Sequence, residues 1–138
     1  MKPFRIAAVG ILVVSTAVCV WFGRGVYRHG KAEHNTARLR AFVHVISTQR
    51  PRTASAEAIA EALAAAQAPP DLALDAWGRP FRVSIGFDGA GSFHYRVHSL
   101  GGDGAPGPCY LPRWPGSEYD ADWLIVDGDP VAGPSGRS

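Results

Sequence analysis

Three aspartates stand in the last third of the chain, Asp103 within Gly101-Gly102-Asp103-Gly104-Ala105-Pro106-Gly107 and Asp120 and Asp122 within Glu118-Tyr119-Asp120-Ala121-Asp122. Calcium takes carboxylate and backbone carbonyl oxygens, and glycines let carbonyls turn inward, so this composition suits a calcium loop. The spacing does not match the twelve-residue EF-hand loop. A solvated Asp/Gly loop with no ion satisfies the same spacing, and the residues alone leave both readings open. Acid–base catalysis by these carboxylates would need a pocket that the sequence does not indicate. His94 and His98 fall on one face of an expected strand, while His29, His34 and His44 are scattered. Ser84, Ser92 and Ser99 lie in no nucleophile elbow. Cys19 and Cys109 are about 90 residues apart, which indicates neither a disulfide nor a metal-binding pair. The chain therefore reads as a non-enzyme with no small-molecule substrate. Tyr110 and Trp114, in the segment Cys109 to Pro115, are candidate partner-binding aromatics.

The elements that would position these residues change character along the chain. Its 138 residues allow one compact domain plus an appendage. Residues 1–52 carry nine Lys/Arg against Glu33, and residues 101–138 carry six Asp/Glu against Arg113 and Arg137, so the net charge of +2 hides an asymmetry. The basic residues gather around an apolar segment without a DNA-reading helix or an aromatic-lined groove, which argues against nucleic acid. Ile6 to Phe22 is a run of seventeen uncharged residues, flanked by Lys2 and Arg5 before and Arg24, Arg28 and Lys31 after. It is expected to be a single-pass membrane anchor at the short end of the spanning range. Leu39, Phe42, Val43 and Ile46 follow at the spacing of one helical face, with Asn35, Arg38 and His44 placed largely elsewhere. One helix can run from the anchor through this segment, with Gly23, Gly25 and Gly30 as the places to bend or end, until Pro51 stops it near Gln49 or Arg50.

Ser55 is a cap for a second, alanine-rich helix with Glu57 in its first turn and Ile59, Leu63 and Ala66 as its apolar stripe, ended by Pro69-Pro70. Phe81, Val83, Ile85 and Phe87, then Phe93, Tyr95 and Val97, alternate with polar or small residues around Asp88-Gly89-Ala90-Gly91, which predicts an antiparallel hairpin. Trp123 to Val126 reads as a third strand after a long Gly/Pro/Asp-rich loop. The expected fold is α+β: a long N-terminal helix, transmembrane and then amphipathic, a second short helix, and a small three-stranded antiparallel sheet. The expected divisions are an anchor with its basic flank at 1–32, a head with its helical stem at 33–127, and a flexible tail at 128–138.

Asp75-Ala76-Trp77-Gly78-Arg79-Pro80-Phe81, then Tyr95-Arg96-Val97-His98-Ser99-Leu100-Gly101-Gly102-Asp103-Gly104-Ala105-Pro106-Gly107, then Asp120-Ala121-Asp122, resembles the carboxy-terminal half of the major, G-type pseudopilin of type II secretion systems, in order over about 50 residues. The resemblance implies a pilin-like fold and a structural, non-enzymatic component or accessory of a secretion pseudopilus. It also implies a calcium-stabilised head, with the Leu100 carbonyl and the side chains of Asp103, Asp120 and Asp122 as ligands. Its partners would be the membrane and homo-oligomeric or other pseudopilin subunits, and its location the bacterial inner membrane with the head in the periplasm. The family's peptidase junction and the glutamate after it have no counterpart in Gly10-Ile11-Leu12-Val13-Val14-Ser15. That departure motivates an alternative, a membrane-anchored periplasmic binding or scaffold module that reuses the head without polymerising.

Overall fold

The computed structural model describes residues 2–106, 120 and 122–132, with side chains over 13–106, 120 and 122–131. Helix α1 runs unbroken from Lys2–Gln49, 48 residues or about 72 Å of rod. It passes through Gly23, Gly25 and Gly30, where bends were expected. None of the three serves a close approach, since a Cβ at each would meet nothing within 4 Å. Each weakens the helix by about 1 kcal/mol relative to alanine without removing a backbone donor, so the hydrogen-bond ladder continues. The stop falls where Pro51 requires it: Arg50 takes φ 49° and its N–H donates to the Ile46 carbonyl at 3.0 Å.

No helix among the described residues is long and apolar enough to cross a membrane. This corrects the expected single-pass anchor, the inner-membrane location, and the transmembrane part of the fold. Length is not what α1 lacks. Its apolar run is seventeen residues against the roughly 20 a span needs, it is diluted by Gly10, Ser15 and Thr16, and Arg24, Arg28 and Lys31 follow it.

Helix α2, Ala56–Ala65, begins as expected, with the Ser55 hydroxyl accepting from the Ala58 N–H. It closes with a Schellman motif: Gln67, at φ 53°, donates to the Ala64 carbonyl and Ala68 to Leu63. A short 3-10 turn at Pro70–Ala73 then leads into the sheet. Four antiparallel strands follow in the order β1-β2-β3-β4, namely β1 Arg82–Phe87, β2 Phe93–Ser99, β3 Trp123–Val126 and β4 Asp129–Ala132. The sheet has one strand more than expected, because the stretch read as a loose tail supplies β4. Asp127 and Gly128, at φ 50° and 94°, make the two-residue left-handed turn that joins β3 to β4. Pro130 is tolerated because β4 is an edge strand.

Alternation along the strands puts Tyr95, Val97, Trp123 and Ile125 on the covered face, with Val97 paired to both Val83 and Ile125. Leu39, Phe42, Val43 and Ile46 of α1 and Ile59, Ala62 and Leu63 of α2 complete one core over that face. Phe42 stacks on Phe81 with centroids 5.2 Å apart. Burial on α1 starts at Ala32, so only its carboxy-terminal third belongs to the head.

Candidate functional site

Two features of α1 set what the molecule can do, a polar latch that fixes it to the head and the bare stem beyond. The latch centres on Asn35, which is fully buried. Its Nδ2 donates to Ser99 Oγ at 3.1 Å, and its Oδ1 accepts from the Ala76 N–H at 3.1 Å. One turn earlier Lys31 Nζ donates to the Ala76 carbonyl at 2.8 Å, and one turn later Arg38 Nε donates to the Leu74 carbonyl at 2.8 Å. Trp123 Nε1 donates to Thr36 Oγ1 at 3.0 Å, which adds β3 to the same grip. The sequence pattern sets Asn35 largely off the apolar face, yet 35, 39, 42 and 46 follow one stripe. The signal was a lone amide in line with buried apolar positions, which needs partners when covered.

The opposite half of the latch is the turn at Asp75. Its buried carboxylate accepts from the N–H groups of Trp77 and Arg79, each at 2.9 Å, and from Arg79 Nε at 3.3 Å. Arg79 also lies over the Trp77 ring, 5.5 Å from its centroid, and donates to the Gly101 carbonyl. Gly104, at φ 70°, accommodates it, since a Cβ there would run into the guanidinium. The Asp-Ala-Trp-Gly-Arg segment is thus a structural clasp that holds the helix, the sheet and the glycine loop together.

The expected calcium ligands are dispersed among other partners. Leu100, partly buried, follows β2. Asp103 is exposed and its Oδ1 accepts from the Ala105 N–H at 3.1 Å. Asp120 pairs with Arg28 at 2.9 Å. Asp122 is buried and takes a hydrogen bond from His98 Nε2 at 2.8 Å. Among the described residues no group of three His, Cys, Asp or Glu is placed to hold a metal ion. Tyr110 and Trp114, the expected partner-binding aromatics, lie outside the described residues.

His94 joins the two hairpin turns. Its Nδ1 is 2.9 Å from Asp127 Oδ2 and its Nε2 is 3.5 Å from Asp88 Oδ2. The hydrogen bond to Asp127, then that to Asp88, holds the imidazole pKa above its ordinary value. The same contact holds Asp127 low, helped by the Tyr95 N–H, and Asp88 is lowered chiefly by the Ser92 N–H.

Among the described residues most of the exposed large hydrophobic side chains lie on the stem beyond the head. Val13, Val14, Val18, Val20, Trp21, Phe22, Val26 and Tyr27 are all more than half exposed, Trp21 at 77%. At about 100° per residue these positions surround the helix rather than form a stripe. Cys19 lies among them, also exposed. No family model, no curated protein and no solved structure matches this chain, so its function is read from this geometry.

Proposed function

We propose that this chain is a non-enzymatic structural subunit that assembles with copies of itself through α1, in the manner of the pseudopilins that its clasp and glycine-loop motifs resemble. The observation that carries the reading is the all-round apolar exposure of α1 between Val13 and Tyr27. A helix with one apolar stripe needs one neighbour, whereas a helix apolar on every side is stable only when surrounded. Several stems packed side by side supply that surround, and the latch keeps each head at a fixed position on its own stem. Burying one large side chain contributes about 1.5–3 kcal/mol, so even part of this set outweighs the entropy of association.

Cys19 offers a direct test in full-length protein carrying Cys109→Ser. Oxidation is expected to give Cys19–Cys19 linked chains, sedimentation to show species larger than dimers, and Trp21→Asp or Phe22→Asp to abolish both without lowering the thermal midpoint of the head. A chain that stays monomeric up to about 100 μM with its head folded refutes the proposal.

A further inference from the structure

Each head carries two exposed pairs of like charge on opposite layers. On β1 and β2, Arg82 and Arg96 project from the face of the sheet away from the core. The register pairs Arg96 with Ser84, two residues from Arg82, so the two arginines are diagonal neighbours about 7–8 Å apart. On α2, Glu57 and Glu61 stand one turn apart, about 6 Å along the axis, opposite the buried Ile59, Ala62 and Leu63. All four are exposed, and none has an ion-pair partner among the described residues. Within each pair the like charges repel, and an approaching pair of opposite sign relieves both.

The two patches cannot meet within one molecule, because the core lies between them. They can meet between molecules. Their spacings agree to within about 2 Å; on the sheet Ser84 and the largely buried His98 share the quartet with the two arginines, and on the helix the exposed Ala60 lies between the two glutamates. We propose that the outer face of the sheet, through Arg82 and Arg96, docks on the outer face of α2, through Glu57 and Glu61, of the next copy of this chain. The contact joins two different surfaces, so it is heterologous and leaves a free patch of each kind at the ends of every row. It rests on the reading of the chain as a self-assembling subunit and adds what orders the heads once the stems have gathered. Charge complementarity of this kind sets register and excludes wrong neighbours more than it adds affinity.

Charge reversal in the full chain tests it. R82E/R96E and, separately, E57R/E61R are expected to raise the concentration needed for assembly about tenfold, and the four-residue swap to restore it. About 1 M salt, with its Debye length of about 3 Å, should weaken the unaltered chain in the same direction. Thermal unfolding checks that the heads stay folded, since all four side chains are exposed. If R82E/R96E leaves the assembly concentration unchanged, or the swap assembles no better than either reversal, the contact is refuted; an unrelated acidic partner on the arginines would give that result. Cys19 cross-linking reports the stem separately. Cross-links that form while charge reversal has no effect overturn the head contact and leave stem packing standing. Salt- and charge-dependent assembly without cross-links overturns stem packing instead, and a chain monomeric at every concentration overturns both.

Discussion

Replacing Asn35 with alanine tests whether the latch holds the stem in the head. The substitution strips the Ala76 N–H and the Ser99 hydroxyl of their partner in a place closed to water, where Asn35 and Ser99 are 0% and 1% exposed. Each buried polar group left without a partner costs about 1–3 kcal/mol. The Ser99 hydroxyl can turn and recover part of its loss, so the total is about 3 kcal/mol, a large share of the roughly 5–10 kcal/mol of a domain this size. At 4–8 °C per kcal/mol the thermal midpoint should fall by about 15 °C. Urea unfolding of Asn35→Ala, Ser99→Ala and the double variant, followed by circular dichroism, isolates the pair. Ser99→Ala should lose about 1 kcal/mol, and the two should be coupled by about 1 kcal/mol. A loss below 1 kcal/mol for Asn35→Ala, or strict additivity, would show that the amide is a passenger and that apolar packing alone fixes the helix.

Ser55→Ala removes the side-chain acceptor from the first turn of α2 and should cost about 1 kcal/mol, read as a lower urea midpoint with an unchanged slope. The His94 contact gives a pH signature. Its raised pKa means that it stabilises the fold below about pH 6.5 and that this contribution is lost as pH rises through the folded-state value. Asp88 and Asp127, held low, contribute above about pH 4 and lose their contribution as pH falls through their folded values. The destabilisation by His94→Gln should therefore be larger at pH 5.5 than at pH 8.5, and equal losses at the two pH values would remove the ion bridge from the account. Calcium should raise the thermal midpoint no more than magnesium does, because Asp120 and Asp122 would have to leave Arg28 and His98 to bind it. A calcium-specific rise abolished by Asp122→Asn would reverse that conclusion.

The second helix, the stop before Pro51, the hairpin and the third strand were all legible, because each rests on chemistry local to a few residues. Ser55 caps whatever helix follows it, and period-two alternation from Phe81 to Phe87 has one structural meaning. The fourth strand was also written in the sequence, as Asp127-Gly128 after an apolar strand, but Pro130 and the shortness of the segment masked it. The latch was not legible in the same way. Asn35 reads as an ordinary polar helix residue until Ala76 and Ser99, 41 and 64 positions away, are brought to it. The partners of the acidic residues are hidden in the same way. The aspartates look like a set when read by composition, yet Asp120 and Asp122 are claimed by Arg28 and His98 from α1 and β2, partners that no spacing rule connects to them.

The head packs on α1 from Lys31 to Ile46, a clamp about 22 Å long with the exposed Arg28–Asp120 pair just ahead of it, while some 44 Å of the same rod precedes Lys31. Mechanically the molecule is a cantilever. A sideways pull on the stem arrives at the clamp as a torque with a lever advantage of about two, borne by Lys31, Asn35 and Arg38 on the backbone of residues 74–76 and by Asn35 and Thr36 on Ser99 and Trp123 of the sheet. Gly23, Gly25 and Gly30, ahead of the clamp, are the compliant points that can bend before that grip is loaded.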